Sequence, residues 1–164
     1  MPRAYISIGS NIEPERHIDA ALRALRQEFD VRSVSPVYRS KAEGFDGEDF
    51  LNVAVAIDSA LKPAPIVEIL TRIEDDNGRT RGGARFAART LDLDLLTYGD
   101  EVIDIGNLHL PRPEILRYAF VLKPLADIAG TDRHPVVGER YADLWEGFDD
   151  VGQVLWPVDV AASQ

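Results

Sequence analysis

The chain has 164 residues, 45% of them apolar and 28% charged, with a formal net charge of −10. This balance fits one soluble domain, and the excess of acid argues against broad nucleic-acid binding, which needs a basic face to meet phosphate. The absence of cysteine removes disulfides, thiolate metal sites and thiol nucleophiles together. His17, His109 and His134 lie far apart without zinc-ligand spacing. No apolar run approaches the roughly 20 residues that span a bilayer. The opening MPRAYISIGSN has no signal-peptide core and reads as a strand. The expected compartment is the cytoplasm, with no membrane partner.

In chain order, Ala4–Ile8 is a short β-type run ending at Gly9-Ser10-Asn11. Pro14–Phe29 carries Ile18, Ala21, Leu22, Leu25 and Phe29 at helical spacing, and Pro14 suits a first helical turn. Val31–Arg39 returns to strand character, and Ser40–Asp49 is a polar loop with two glycines. Phe50–Ile57 alternates, with Leu51, Val53, Val55 and Ile57 on one face. Pro65–Glu74 is a second helix with the stripe Ile66, Ile69, Leu70 and Ile73. Asp75–Arg89 is a loop, and Thr90–Tyr98 a fourth strand. A short strand near Asn107–Leu110 and helical pieces near Arg117–Ala129 and Gly138–Phe148 follow. Trp156–Gln164 reads as loose. The order βαββαβ predicts an α+β fold with a ferredoxin-like core, an antiparallel sheet with both helices on one face.

The segment Asn77–Leu96, NGRTRGGARFAARTLDLDLL, is the richest in chemistry. Arg79, Arg81, Arg85 and Arg89 fall within 11 residues, four of the chain's 18 basic side chains. Guanidinium forks match phosphate oxygens. Asp92 and Asp94 follow, two apart on a strand, so both carboxylates share a face while Leu91, Leu93 and Leu95 share the other. Paired carboxylates repel unless a cation neutralises them, and magnesium is held by one or two carboxylates plus substrate phosphates and water. Any single arginine is more readily a solvated loop residue; the combination points to phosphate. A G-x-x-x-x-G-K-[ST] loop is absent, which excludes a P-loop. Phe50 beside Asn52 could form a platform for a flat heterocycle, by stacking and by paired donor and acceptor. Alone, these two are more readily a core phenylalanine and a surface asparagine, and Phe120 an ordinary core residue.

AYISIGSNIEPERHIDAALRAL, VSPVYRS, the Gly44 loop, FLNVAVAI, RIEDDNGRTR, RTLDLDLLTYG, LPRPEILRYAFVLKPLADIA and HPVVGERYADLW stand in the order and spacing of one family. Over roughly residues 4–146 the chain resembles the 6-hydroxymethyl-7,8-dihydropterin pyrophosphokinases. The resemblance implies a three-layer α/β/α fold over residues 1–150 with a tail at 151–164. It implies pyrophosphate transfer from ATP to a pterin alcohol, with AMP as product, in folate biosynthesis, by a monomer needing two magnesium ions. Asp92 and Asp94 would hold the metals. Arg79 and Arg89 would grip the phosphates with help from Arg81, and Glu74 would contact the nucleotide. Phe50 and Phe120 would sandwich the pterin ring. Asn52 would read its pyrimidinone edge with backbone groups of Ser40–Gly44, and Asp75–Arg89 would act as a lid. The chain departs from the family pattern at Ser40-Lys41-Ala42-Glu43-Gly44 and at Arg85-Phe86-Ala87-Ala88-Arg89. It also carries Arg112 for a histidine and Tyr118 for an arginine, so Arg112 is expected to take over phosphate charge. The competing expectations are a same-fold enzyme with a shifted alcohol substrate or weakened activity, and a non-enzymatic ligand-binding module.

Overall fold

The computed structural model describes residues 1–41, 49–78 and 91–158. Strand β1 (Arg3–Ser10) leads into helix α1 (Pro14–Glu28), then β2 (Asp30–Val34), β3 (Val37–Ser40) and β4 (Phe50–Asp58). Helix α2 (Pro63–Asp76), β5 (Asp92–Tyr98) and a hairpin of β6 (Ile103–Ile105) and β7 (Leu108–Leu110) follow. A 3-10 turn at Pro113–Leu116, helices α3 (Ala119–Ala129) and α4 (Tyr141–Glu146), and β8 (Leu155–Val158) complete the chain. The main sheet runs β5-β1-β4-β3-β8, with β2 also paired to β4, and every pairing is antiparallel. No described helix is long and apolar enough to cross a membrane.

Alternation along the central strands builds a core on each face of the sheet. Ile6 and Ile8 of β1, Val53 and Val55 of β4, and Leu93 and Leu95 of β5 pack with Ile18, Leu22 and Leu25 of α1 and Ile66, Leu70 and Ile73 of α2. On the other face Tyr5, Ala56 and Leu96 meet Val121, Leu122 and Leu125 of α3 and Tyr141 of α4. The phenol of Tyr38 donates to Asp127, tying α3 to β3, and that of Tyr5 donates to Asp132, tying the turn after α3 to β1. Both helical stripes expected from the sequence face inward, although Ile69 is only partly covered.

Several boundaries differ from expectation, each for a local reason. The single strand expected over Val31–Arg39 is two strands, because Pro36 has no N–H to give to a ladder. Ser35 spans the break: its N–H donates to Ala54 O at 2.8 Å, and its Oγ accepts from Ala54 N at 2.9 Å and donates to Pro36 O at 2.8 Å. Helix α2 starts at Pro63, since both prolines fit a first turn whose N–H groups have no intrahelical acceptor. The helix expected from Arg117 begins at Ala119 instead, after extended backbone at Tyr118. The piece expected over Gly138–Phe148 is shortened to α4. Strand β6 was not expected; it pairs with β7 across Gly106-Asn107, where Gly106 takes φ 58°. Trp156–Val158 is not loose, because β8 lies along β3 with Pro157 at the sheet edge, where a missing N–H is tolerated. Residues 159–164 lie outside the described residues.

The Ser35 bridge yields a direct test. Ser35→Ala strands the buried Ala54 N–H, so the expected loss is about 1–3 kcal/mol of unfolding free energy. Urea unfolding should show a lower midpoint with an unchanged slope, and an unchanged midpoint would contradict the bridge.

Candidate active site

Strand β1 organises the site because it lies between β5 and β4. Gly9 pairs with Asp92 on one side and with Asn52 on the other; one step along, Ser7 pairs with Asp94 and with Ala54. Directly paired residues point to the same face, and Leu91, Leu93 and Leu95 are buried in the opposite layer. Asp92, Asp94, Asn52 and Phe50 therefore share the face on which α3 packs, with Phe120 as the second residue of that helix. Gly9 forms the floor between them. A Cβ there would sit 3.6 Å from Asn52 Oδ1 and 3.8 Å from Phe50 Cδ1, so glycine leaves open the space that a larger side chain would fill.

Asn52 is buried, and its Nδ2 donates to Ser40 Oγ at 2.8 Å and to Tyr38 O at 3.2 Å. Ser40 thus orients Asn52 through its hydroxyl. Tyr118, which carries no cation, lies against Phe120 with ring centroids 5.0 Å apart and planes inclined by 23°. It extends the aromatic wall, an effect that the spacing of YAF hints at only once Phe120 is placed. Gly44, Arg79, Arg81, Arg85 and Arg89 lie outside the described residues, as does the body of the expected lid.

The acidic end of the face is built at the open edge of β5. Glu74, in the last turn of α2, accepts the Leu93 N–H through Oε2 at 2.7 Å, satisfying a strand-edge donor. Arg112 N donates to Leu96 O at 2.9 Å, which brings the Arg112 side chain beside Asp94. Its Nη2 lies 3.6 Å from Asp94 Oδ1 and 2.8 Å from Glu114 Oε2. Burial alone would lower the Arg112 pKa, but Asp94 and Glu114 raise it, so the guanidinium is a permanent cation. Arg112 Nε and Glu114 Oε1 are buried and have no hydrogen-bond partner among the described residues. Glu114 was not singled out from the sequence; its signal is only its position two residues after Arg112 in a tight turn.

Burial, then the charge of Asp92, pushes the Asp94 carboxyl well above the usual carboxylate range; Glu74 and Glu114 add to this and Arg112 opposes it. Asp94 keeps 35% of its side chain exposed, so a cation can reach it. Among the described residues no group of three or more His, Cys, Asp or Glu is placed to hold a metal ion. Two hard carboxylates short of positive charge, with further oxygens supplied by substrate, form a donor set that fits magnesium. The histidines have other work. His17 Nδ1 meets Ile12 O, His109 meets Asp104, and His134 Nδ1 accepts two backbone N–H groups of its own turn.

The raised Asp94 pKa has a stability consequence with a fixed sign. The folded state holds a proton that the unfolded chain releases near 3.8. That contribution is complete below the unfolded pKa and is lost as pH rises through the folded value. In metal-free buffer, Asp94→Asn should therefore raise the melting temperature relative to the native chain at about pH 8 and change it little at about pH 4. An equal difference at both pH values would show that Asp94 does not carry this strain.

A profile of the 7,8-dihydro-6-hydroxymethylpterin-pyrophosphokinase (HPPK) family matches residues 5–130. The 2-amino-4-hydroxy-6-hydroxymethyldihydropteridine pyrophosphokinase of Pseudomonas aeruginosa is 40% identical over 137 residues, covering 81% of this chain and 84% of that protein. The enzyme of the same name from Bacillus subtilis is 39% identical over 129 residues, covering 76% and 77%. Among solved structures, wild-type Plasmodium falciparum HPPK-DHPS with pteroate superposes with a TM-score of 0.74 at 12% identity. That match covers 88% of this chain but only 44% of the longer Plasmodium chain, and it establishes likeness of fold, a mixed assembly of helices and antiparallel sheet. The match along the chain, and the agreement in fold, mean that this protein belongs to the 7,8-dihydro-6-hydroxymethylpterin-pyrophosphokinase family.

Proposed function

We propose that the face shared by Asp92, Asp94, Asn52, Phe50 and Phe120 is where this ATP-dependent pyrophosphokinase of folate biosynthesis works. There it transfers pyrophosphate from ATP to the hydroxymethyl group of 6-hydroxymethyl-7,8-dihydropterin and releases AMP. The observation that carries the reading is the register through Gly9. It sets the acidic pair and the ring-reading amide two strand spacings apart, roughly 10 Å. That separation suits a bicyclic ring at one end and the phosphates that meet its hydroxymethyl arm at the other. The strand order β5-β1-β4-β3, with α1 and α2 on one face and α3 and α4 on the other, supports a ferredoxin-like core at the centre of a three-layer α/β/α fold.

In this reading Phe50 and Phe120 hold the ring, with Tyr118 backing Phe120. Asn52, held by Ser40, reads the pyrimidinone edge, with backbone groups up to Gly44 assisting. The substrate hydroxyl attacks the β-phosphorus in line; a new O–P bond forms, the bond to the α-phosphate oxygen breaks, and AMP leaves with the electron pair. The hydroxyl proton passes to solvent. Asp92 and Asp94 would hold two magnesium ions, which would lower the repulsion between phosphate and attacking oxygen. Arg112, with its Nε lacking a partner among the described residues, supplies a fixed charge toward the phosphates. Arg79, Arg81 and Arg89 complete the grip on the nucleotide, and Glu74 orders β5 beneath it. Positioning and charge neutralisation together lower the barrier.

AMP formation from ATP and the pterin alcohol tests the assignment. Asp92→Asn and Asp94→Asn keep side-chain shape and remove one ligand charge each. Each should lower turnover by at least about 100-fold while circular dichroism stays native. Native turnover in both variants would move the reaction away from this face.

A further inference from the structure

The segment Asp149–Val158 reaches both walls of the proposed pocket. Helix α3 begins at Ala119, and its N-cap residue, Tyr118, makes no side-chain capping bond. The first helical N–H groups of any helix lack intrahelical acceptors. Here the carboxamide of Gln153 serves from 34 residues downstream: Oε1 accepts the Ala119 N–H at 2.8 Å, and Nε2 donates to Arg117 O at 3.1 Å. These two backbone groups flank Tyr118, and Ala119 immediately precedes Phe120. The aim of Gln153 is set by its own turn. Asp149 Oδ1 accepts from Val151 N at 3.2 Å, Gln153 N donates to Asp150 O at 2.9 Å, and Gly152 takes φ 81°, a conformation that costs glycine little.

Two residues beyond Gln153, β8 begins, and Leu155 pairs with Ser40. Ser40 Oγ in turn receives Asn52 Nδ2. One stretch of ten residues, Asp149–Val158, therefore holds the backbone on which Phe120 rides and the backbone that orients Asn52. We propose that this stretch is a clasp that sets the width of the ring pocket, with Gln153 as the positioning residue for Phe120. The proposal rests on the reading of Phe120 and Asn52 as the pterin-binding pair. The axis of α3 is anchored separately by Tyr38–Asp127 and by Val121, Leu122 and Leu125 packed against the sheet. Losing Gln153 thus loosens the first turn of α3 without detaching the helix, and the effect falls on the ring site.

The test is titration of 6-hydroxymethyl-7,8-dihydropterin, with a non-hydrolysable ATP analogue present, into the full chain and its Gln153→Ala, Gln153→Glu and Phe120→Ala variants, with steady-state kinetics in parallel. Loss of a helix cap predicts that Gln153→Ala weakens pterin binding about 3- to 10-fold and raises KM for pterin more than KM for ATP. Gln153→Glu keeps the acceptor for Ala119 N–H and places negative charge at a helix N-terminus but loses the donor to Arg117 O, so its pterin affinity should fall between those of the native chain and Gln153→Ala. Amide exchange at Ala119 and Phe120 should quicken in Gln153→Ala and not in Gln153→Glu. Native pterin affinity in Gln153→Ala, with Phe120→Ala weakened, overturns the clasp alone. Native affinity in Phe120→Ala overturns the ring-site reading, and the clasp with it.

Discussion

The site depends on the double pairing of β1. Gly9 is opposite Asp92 on one side and Asn52 on the other, so a single residue sets the relation between the acidic end and the proposed ring-reading end. A strand that slipped by one residue would exchange the two faces of its side chains. In β5 that slip would drive Asp92 and Asp94 into the layer under α2 and push Leu91, Leu93 and Leu95 outward. Those leucines are 0%, 5% and 4% exposed, and burying each one favours the native pairing by about 1.5–3 kcal/mol. The apolar core on one face therefore specifies where the charges stand on the other, and Glu74 adds to this by taking the Leu93 N–H.

The arrangement carries its own electrostatic cost. Asp92 and Asp94 stand side by side, with Glu74 and Glu114 near enough to raise Asp94 further. Arg112 relieves part of this, held between Asp94 and Glu114. An acidic face in this state favours added positive charge, which the proposed binding of metal-bound triphosphate would supply. Active sites store strain of this kind, and the remainder of the fold offsets it.

Much of the molecule is legible in its amino-acid order, for reasons of period. The LDLDLL alternation separates acids from leucines without ambiguity, and the 3.6-residue stripes of α1 and α2 identify their buried faces. Features that depend on contacts distant in sequence are not legible. Ser35 reads as a strand residue until its Oγ is seen to serve as the acceptor for the Ala54 N–H where Pro36 breaks the strand. Glu114 and Tyr118 have no periodic signature, and acquire meaning only from Arg112 and Phe120. The segment after Phe148 is short and weakly patterned, so its strand and its capping glutamine become visible only once β3 offers an edge and α3 an uncapped end. Resemblance to a family supplied the pairing of Phe50 with Phe120, which neither residue's own surroundings would have suggested.

The claim beneath all of this is that the carboxylate pair and the ring-reading amide share one face at a fixed separation. Paramagnetic relaxation by manganese, a substitute for magnesium at carboxylates, measures that separation. With manganese and nucleotide bound, the side-chain amide of Asn52 should broaden as expected for a centre roughly 10 Å away, two strand spacings, and the backbone amide of Gly9, one spacing from Asp92, should broaden more strongly. The broadening should vanish in Asp94→Asn. Unbroadened Asn52 and Gly9 signals, with broadening at other residues that survives the substitution, would place the metal elsewhere and contradict the shared face.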